Sequence, residues 1–233
     1  MALRKSRRKL AQMETEHAIA RARARIAKDI HDDVGAGLTQ ITLLTELARR
    51  NPEQTSANLE RITQSARNLT KAMDEIVWAV DPQHDTVAGL MDYISAYAED
   101  YLRVAEVRCR MDLPVDLPTT HVSAELRYNL FLALKEVLNN VGKHAQATEV
   151  HLRLKLEPNA FTLIIEDNGR GLPERQNGES SNVGNRIASG SGLGNLEKRL
   201  AAVGGRCEIQ SEAGRGTRVS MTVFLKNVAS SLL

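Results

Sequence analysis

Between residues 53 and 80 the apolar side chains fall at Leu59, Ile62, Ala66, Leu69, Met73, Ile76 and Val80, in steps that alternate three and four without a slip. That spacing is the seam of a coiled coil or helical bundle, and a lone helix has nowhere to bury it. The segment before it, up to about Arg50, carries a wider stripe at Ile26, Ile30, Val34, Leu38, Ile41, Leu44 and Ala48. "RNPEQTS" separates the two, since Asn-Pro is a turn signal, and Asp81-Pro82 closes the second helix. The expected unit is a helical hairpin. A hairpin cannot bury both stripes by itself, whereas a dimer forming a four-helix bundle can. An aromatic content of 3% suits such packing through Leu, Ile, Val and Ala.

After Pro82 the period changes. "TVAGLMDYISAYAEDYLRVA" reads as an amphipathic helix, "VRCRMDLP" as a short strand, and "SAELRYNLFLALKEVLNNVGKHA" as a long helix with Ser123 as N-cap. "TEVHLRLKLE" alternates, placing Val150, Leu152, Leu154 and Leu156 on one face, and "AFTLIIED" pairs with it across "PNA". A polar stretch from about Leu172 to Ser191 precedes a helix near Leu193 to Val203 and the strands "RCEIQS" and "TRVSMTVFL". Mixed strands and helices in this order predict a two-layer α/β sandwich. The organisation is therefore 1–20, a basic segment; 21–82, the hairpin; 83–228, the α/β domain; and 229–233, a tail.

The net charge of +2 offers no whole-chain argument for nucleic acid. Cys109 and Cys207 lie in separate predicted strands without CxxC spacing, which argues against a disulfide framework or a zinc site. No run approaches the ~18–20 apolar residues of a membrane span. The first 28 residues hold nine Lys and Arg against Glu14 and Glu16. They form either a solvated helix face or a juxtamembrane flank, since cytoplasmic flanks of spanning helices collect cations. On the second reading the chain is the cytoplasmic part of a membrane-attached protein.

Chemistry-bearing residues gather in four places. "RIAKDIHDDVGAGLTQI" surrounds His31 with Asp29, Asp32 and Asp33, then spends Gly35 and Gly37 inside a helix. Each such glycine costs roughly 0.5–1 kcal/mol relative to alanine. "EVLNNVGKHA", "DNGRGLP" and "GSGLGN" combine glycine with acids or amides. A P-loop is excluded, because no GxxxxGK[ST] occurs, and the Rossmann fingerprint fails because its third glycine would fall at Asn195.

Taken in order, these segments resemble the sensor histidine kinases of two-component systems, in the subfamily of nitrate and membrane-fluidity sensors. "ARIAKDIHDD" is similar to the phosphoacceptor box. "MDEIVWAVDP" is similar to the helix leading into the kinase domain. The second half resembles the Bergerat-type (GHKL) ATP-binding domain. Glu136, Asn140, Lys143 and His144 match its N box, Asp167, Gly169 and Gly171 its G1 box, Gly190, Gly192, Leu193 and Gly194 its G2 box, and Gly216 and Thr217 its last conserved turn.

The resemblance implies a catalytic His31 that takes a phosphoryl group from ATP, with Asp32 as the base beside it. It implies a homodimer, Mg²⁺ as cofactor and a response regulator receiver domain as partner. Glu136 and Asn140 are four apart, hence on one helix face, and Lys143 is expected to share it. Their oxygens suit Mg²⁺, with Asn140 as the implied direct ligand, while Lys143 would place positive charge near the phosphates. Asp167 would accept from the adenine amino group. Gly192 and Gly194 would open a helix whose free N–H groups meet phosphate. His144 reads as structural or phosphate-adjacent. Gly35 and Gly37 are expected to clear room for a docking surface below His31. The chain departs from many relatives in carrying Ala36 where they have Gln or His, which puts phosphatase activity in doubt. The alternatives are a non-kinase ATPase of the same superfamily and a nucleotide-binding dimeric scaffold.

Overall fold

The computed structural model describes residues 34–172 and 191–225. The chain divides after Pro82 into two compact units.

The first unit is a hairpin of α1, described over residues 34–50, and α2, Thr55–Val80. A single 3-10 turn, Pro52–Gln54, reverses the chain, and Thr55 Oγ1 donates back to the Ala48 carbonyl at 3.1 Å. Ile62 and Leu69 turn toward α1 and are half-buried, and Leu44 of α1 is fully covered. The seam residues flanking them are not: Leu59 is 54% and Met73 52% exposed. One chain thus satisfies half of the seam.

The two glycines of α1 prove different. A Cβ on Gly35 would meet nothing within 4 Å, whereas on Gly37 it would lie 3.1 Å from Leu69 Cδ1. Gly37 lets α2 approach inside the hairpin, so the expectation that both glycines clear an outer docking surface holds at most for Gly35. His31 and Asp32 lie outside the described residues.

In the second unit a five-stranded sheet runs in the order β1-β2-β3-β5-β4, with β1 Arg108–Asp112, β2 Glu149–Glu157, β3 Ala160–Asp167, β4 Arg206–Glu212 and β5 Gly216–Phe224. β1 pairs parallel with β2, and the other ladders are antiparallel. Among the described residues three helices contribute the other layer: α3, Val87–Val104; α4, Ala124–Asn140; and α5, Ser191–Ala202. Thr86 and Ser123 start α3 and α4 by accepting the backbone N–H of Gly89 (3.1 Å) and Leu126 (3.2 Å). Gly204, at φ +72°, ends α5.

The two-residue alternation decides which side chains meet the helices. Leu152, Ile165, Val219 and Ile209 make one buried row across four strands, and Leu163 and Met221 lie in the next. Leu90, Ile94 and Leu102 of α3, Leu130, Leu134 and Leu138 of α4, and Leu196 and Leu200 of α5 are equally buried. Leu156, expected on the same face, is exposed at the hairpin end. The opposite face is polar and laced by cross-strand ion pairs, Arg153–Asp112 at 2.7 Å and Arg218–Glu166 at 2.8 Å. Cys109 and Cys207 sit on the two edge strands, β1 and β4. Among the described residues no helix is long and apolar enough to cross a membrane.

Candidate functional site

Asp167 ends β3 on the helix-covered face, two residues beyond Ile165 in the same alternation. The register sets it between Val150 of β2 and Thr217 of β5, and Thr217 in turn faces Ser211 of β4. It is only 6% exposed, unusual for a carboxylate. The Gly169 N–H donates to its Oδ1 at 2.8 Å, and the backbone of Thr217 adds a second hydrogen bond. Burial pushes this carboxyl above the usual carboxylate range, and the two backbone donors offset that only in part.

The loop after Asp167 is held on both sides. Asn168 Oδ1 accepts the N–H groups of Thr148 (2.9 Å) and Glu149 (3.0 Å), and the Arg170 N–H donates to the Ala145 carbonyl at 2.8 Å. Farther on, the Leu172 N–H donates to Ser211 Oγ at 2.8 Å, and Ser211 Oγ lies 3.0 Å from Thr217 Oγ1. Three positions here tolerate no side chain. A Cβ on Gly169 would overlap the Ala145 carbonyl, and one on Gly216, at φ +89°, would overlap the carbonyl of Asp167 itself. A Cβ on Gly171, at φ +69°, would overlap the Glu212 carbonyl of β4.

α4 contributes the second cluster. Asn140 Nδ2 donates to Glu136 Oε1 at 3.3 Å, so the two share a face, as their spacing predicts. A carboxylate oxygen only accepts, which settles the orientation of the amide. Asn140 Oδ1 then has no hydrogen bond among the described residues. The expectation for Lys143 is corrected. Val141–Ala145 forms a wider, π-helical turn, so the α register does not carry past Asn140. Lys143 and His144 both project from this turn and are exposed.

Gly192, Leu193 and Gly194 open α5, whose first N–H groups have no acceptor within the helix. Gly190 lies outside the described residues. The Asn140 amide oxygen and the Glu136 carboxylate fit a hard cation such as Mg²⁺. Among the described residues no three His, Cys, Asp or Glu gather into a metal cage.

Reading the sequence alone missed Ser211. It lies two residues past Ile209, on the inward side of β4, a position that becomes visible only once β4 is paired with β5. It also missed a cavity between α3, α4 and α5 whose lining includes Tyr97, Tyr101 and Arg199.

Residues 126–227 match the family of histidine kinase-, DNA gyrase B- and HSP90-like ATPases, and residues 22–94 match a histidine kinase family. Among curated proteins, the chain is 28% identical over 232 residues to an uncharacterized sensor-like histidine kinase of Chloroflexus aurantiacus, covering 97% of this chain and 37% of that one. It is 25% identical to the sensor histidine kinase LiaS of Bacillus subtilis, over 91% of this chain and 56% of LiaS. It is 27% identical to the nitrate/nitrite sensor protein NarX of Escherichia coli, over 86% of this chain and 32% of NarX. The chain thus spans only part of the length of these relatives. Among solved structures, the histidine kinase AdeS of Acinetobacter baumannii aligns with a TM-score of 0.52 at 13% identity, covering 84% of this chain and 98% of that one. A histidine kinase domain from Erythrobacter litoralis aligns at 0.51 and 17% identity, over 85% and 94%. At such identities the structures bear on the fold alone.

Proposed function

The chain belongs to the sensor histidine kinases of two-component systems, and on that premise we propose that it moves the γ-phosphoryl group of Mg-ATP onto His31. An aspartate of a response regulator receiver domain then takes the group from His31. The observation that carries this reading is the buried Asp167, held by backbone donors at one end of α4, with the Glu136–Asn140 pair farther along the same helix.

In this reading the ionised Asp167 accepts from the adenine amino group, and Gly169 leaves its backbone bare for the purine. Asn140 Oδ1 and Glu136 hold Mg²⁺, which neutralises charge on the phosphates when bound. Lys143 adds positive charge, and the opening N–H groups of α5 face the phosphates. Such a transfer depends on positioning and charge stabilisation more than on covalent help from the protein. Neutral His31 attacks phosphorus through Nε2, the bond from the γ-phosphorus to the bridging oxygen breaks, and ADP leaves with that electron pair. Asp32 holds the Nδ1 proton and stabilises the positive ring.

The half-open seam on α2 supports a homodimer, in which a second copy covers Leu59 and Met73. The basic residues at the start of the sequence support attachment to a membrane, with this part on the cytoplasmic side.

The test is incubation with ATP labelled at the γ position, followed by mapping of the modified residue by mass spectrometry. An acid-labile, base-stable label on His31 is expected, and His31→Gln should abolish it while leaving ATP affinity unchanged. Release of inorganic phosphate with no labelled protein would instead favour the non-kinase ATPase.

A further inference from the structure

The nucleotide reading leaves one cavity of the second unit without a role. About 280 Å³ opens between α3, α4 and α5, walled by Tyr97 and Tyr101, Lys135 and Glu136, and Asn195 and Arg199. Its aromatic wall is braced. The rings of Tyr97 and Tyr101 stack at 6.2 Å, and Tyr97 meets Phe131 edge-on at 4.9 Å. Lys135 Nζ lies 5.8 Å from the centre of the Phe131 ring. Arg199 is half-buried and has no hydrogen bond or ion pair among the described residues. Lys135 and Arg199 outweigh the one negative charge of Glu136, so the cavity favours an anion. A guanidinium is the side chain best shaped to take a phosphate through two parallel bonds.

The order of residues along α4 indicates whose phosphate it is. The Ala145 carbonyl meets the loop of Asp167 at one end, Asn140 and Glu136 follow, and Glu136 itself lines the cavity. At the α-helical rise of about 1.5 Å per residue, the nine steps from Glu136 to Ala145, the last of them in the π-helical turn, span at most roughly 14 Å along the axis. A nucleotide with its base at Asp167 therefore runs its phosphates past Asn140 toward Arg199.

We propose that this cavity receives the terminal phosphate of a bound nucleoside triphosphate, with Arg199 as the group that grips it, so that the site distinguishes ATP from ADP. The proposal rests on the nucleotide reading above. A diphosphate ends short of the cavity and leaves Arg199 unused.

Calorimetric titration of the full chain with ADP and with a non-hydrolysable ATP analogue, both with Mg²⁺, tests it. Wild-type protein should prefer the triphosphate. Arg199→Ala should weaken the triphosphate about ten- to a hundredfold while ADP changes by no more than about twofold. Arg199→Lys should recover part of the loss. Retained ADP binding shows that the variant is folded. Equal loss of both nucleotides, or loss of neither, overturns the role of Arg199 while leaving the nucleotide site standing. If Arg199→Ala weakens only inorganic phosphate, with triphosphate affinity intact, the cavity is a free-anion site and the proposal is wrong. A wild-type chain that binds neither nucleotide sinks the nucleotide reading itself.

Discussion

Asn140 donates its amide to Glu136 Oε1 at 3.3 Å, and this single hydrogen bond decides which end of the amide is left for a cation. Asn140→Ala removes that oxygen and releases the Glu136 carboxylate. Affinity for Mg-ATP should fall about ten- to a hundredfold, the cost of one charge-assisted contact. Titration with a fluorescent ATP analogue, with and without Mg²⁺, measures it. The variant should no longer respond to the metal, and a response equal to wild type would remove Asn140 from the site.

Asp167→Asn should separate binding from stability. Burial raises the Asp167 carboxyl above its ordinary range, so the folded state holds this proton more tightly than the unfolded chain does. That contribution to stability is complete below the unfolded pKa and is lost as pH rises through the raised folded value. The neutral asparagine escapes the loss, so its melting temperature near pH 7 should be no lower than that of wild type. Its ATP affinity should nevertheless drop about ten- to a hundredfold. In wild type, ATP affinity should decline on acidification from a higher pH than an ordinary carboxylate would give, and Asp167→Asn should flatten that decline.

Gly216→Ala and Gly214→Ala form a matched pair. Both glycines have positive φ, +89° and +77°, but only at Gly216 would a Cβ strike backbone, the carbonyl of Asp167. Gly214→Ala should cost about 1–2 kcal/mol, the left-handed penalty alone. Gly216→Ala should cost about 3 kcal/mol or more and disturb adenine recognition, because the strand carrying Asp167 must shift. Urea unfolding of the two variants measures the difference, and equal costs would contradict the close approach.

Gly35→Ala and Gly37→Ala should diverge within one helix. At Gly35 there is open space, so alanine should stabilise the hairpin by roughly 0.5–1 kcal/mol. At Gly37 the new methyl would press on Leu69 at 3.1 Å, offsetting the same gain. Gly37→Ile should destabilise outright. Thermal melts followed by circular dichroism compare the three.

A chain beginning near residue 83 removes the hairpin and keeps the second compact unit. It should be monomeric, bind ATP and fail to label itself. A dimer found by light scattering would place the interface elsewhere.

Where the signal was local and periodic, the sequence alone determined the outcome. The three-four steps of α2, the alternation of Val150, Leu152 and Leu154, the Ser123 cap and the four-residue spacing of Glu136 and Asn140 each depend on neighbours within a turn or two. Periodicity identifies an apolar face but not what that face meets. Gly37 and Leu69, 32 residues apart, meet only because the hairpin closes in one particular register. Ser211 joins Thr217 beside Asp167 only after β5 inserts between β3 and β4. The π-helical turn that takes Lys143 out of the α register is likewise invisible in a pattern of residue types, and Gly142 lies within it, against the Tyr101 hydroxyl. Arg199 reaches the same cavity as Tyr97 and Lys135 through the rotation of three helices about their own axes. That rotation is fixed by many distant apolar contacts at once, and it is the part of this protein that only the tertiary structure decided.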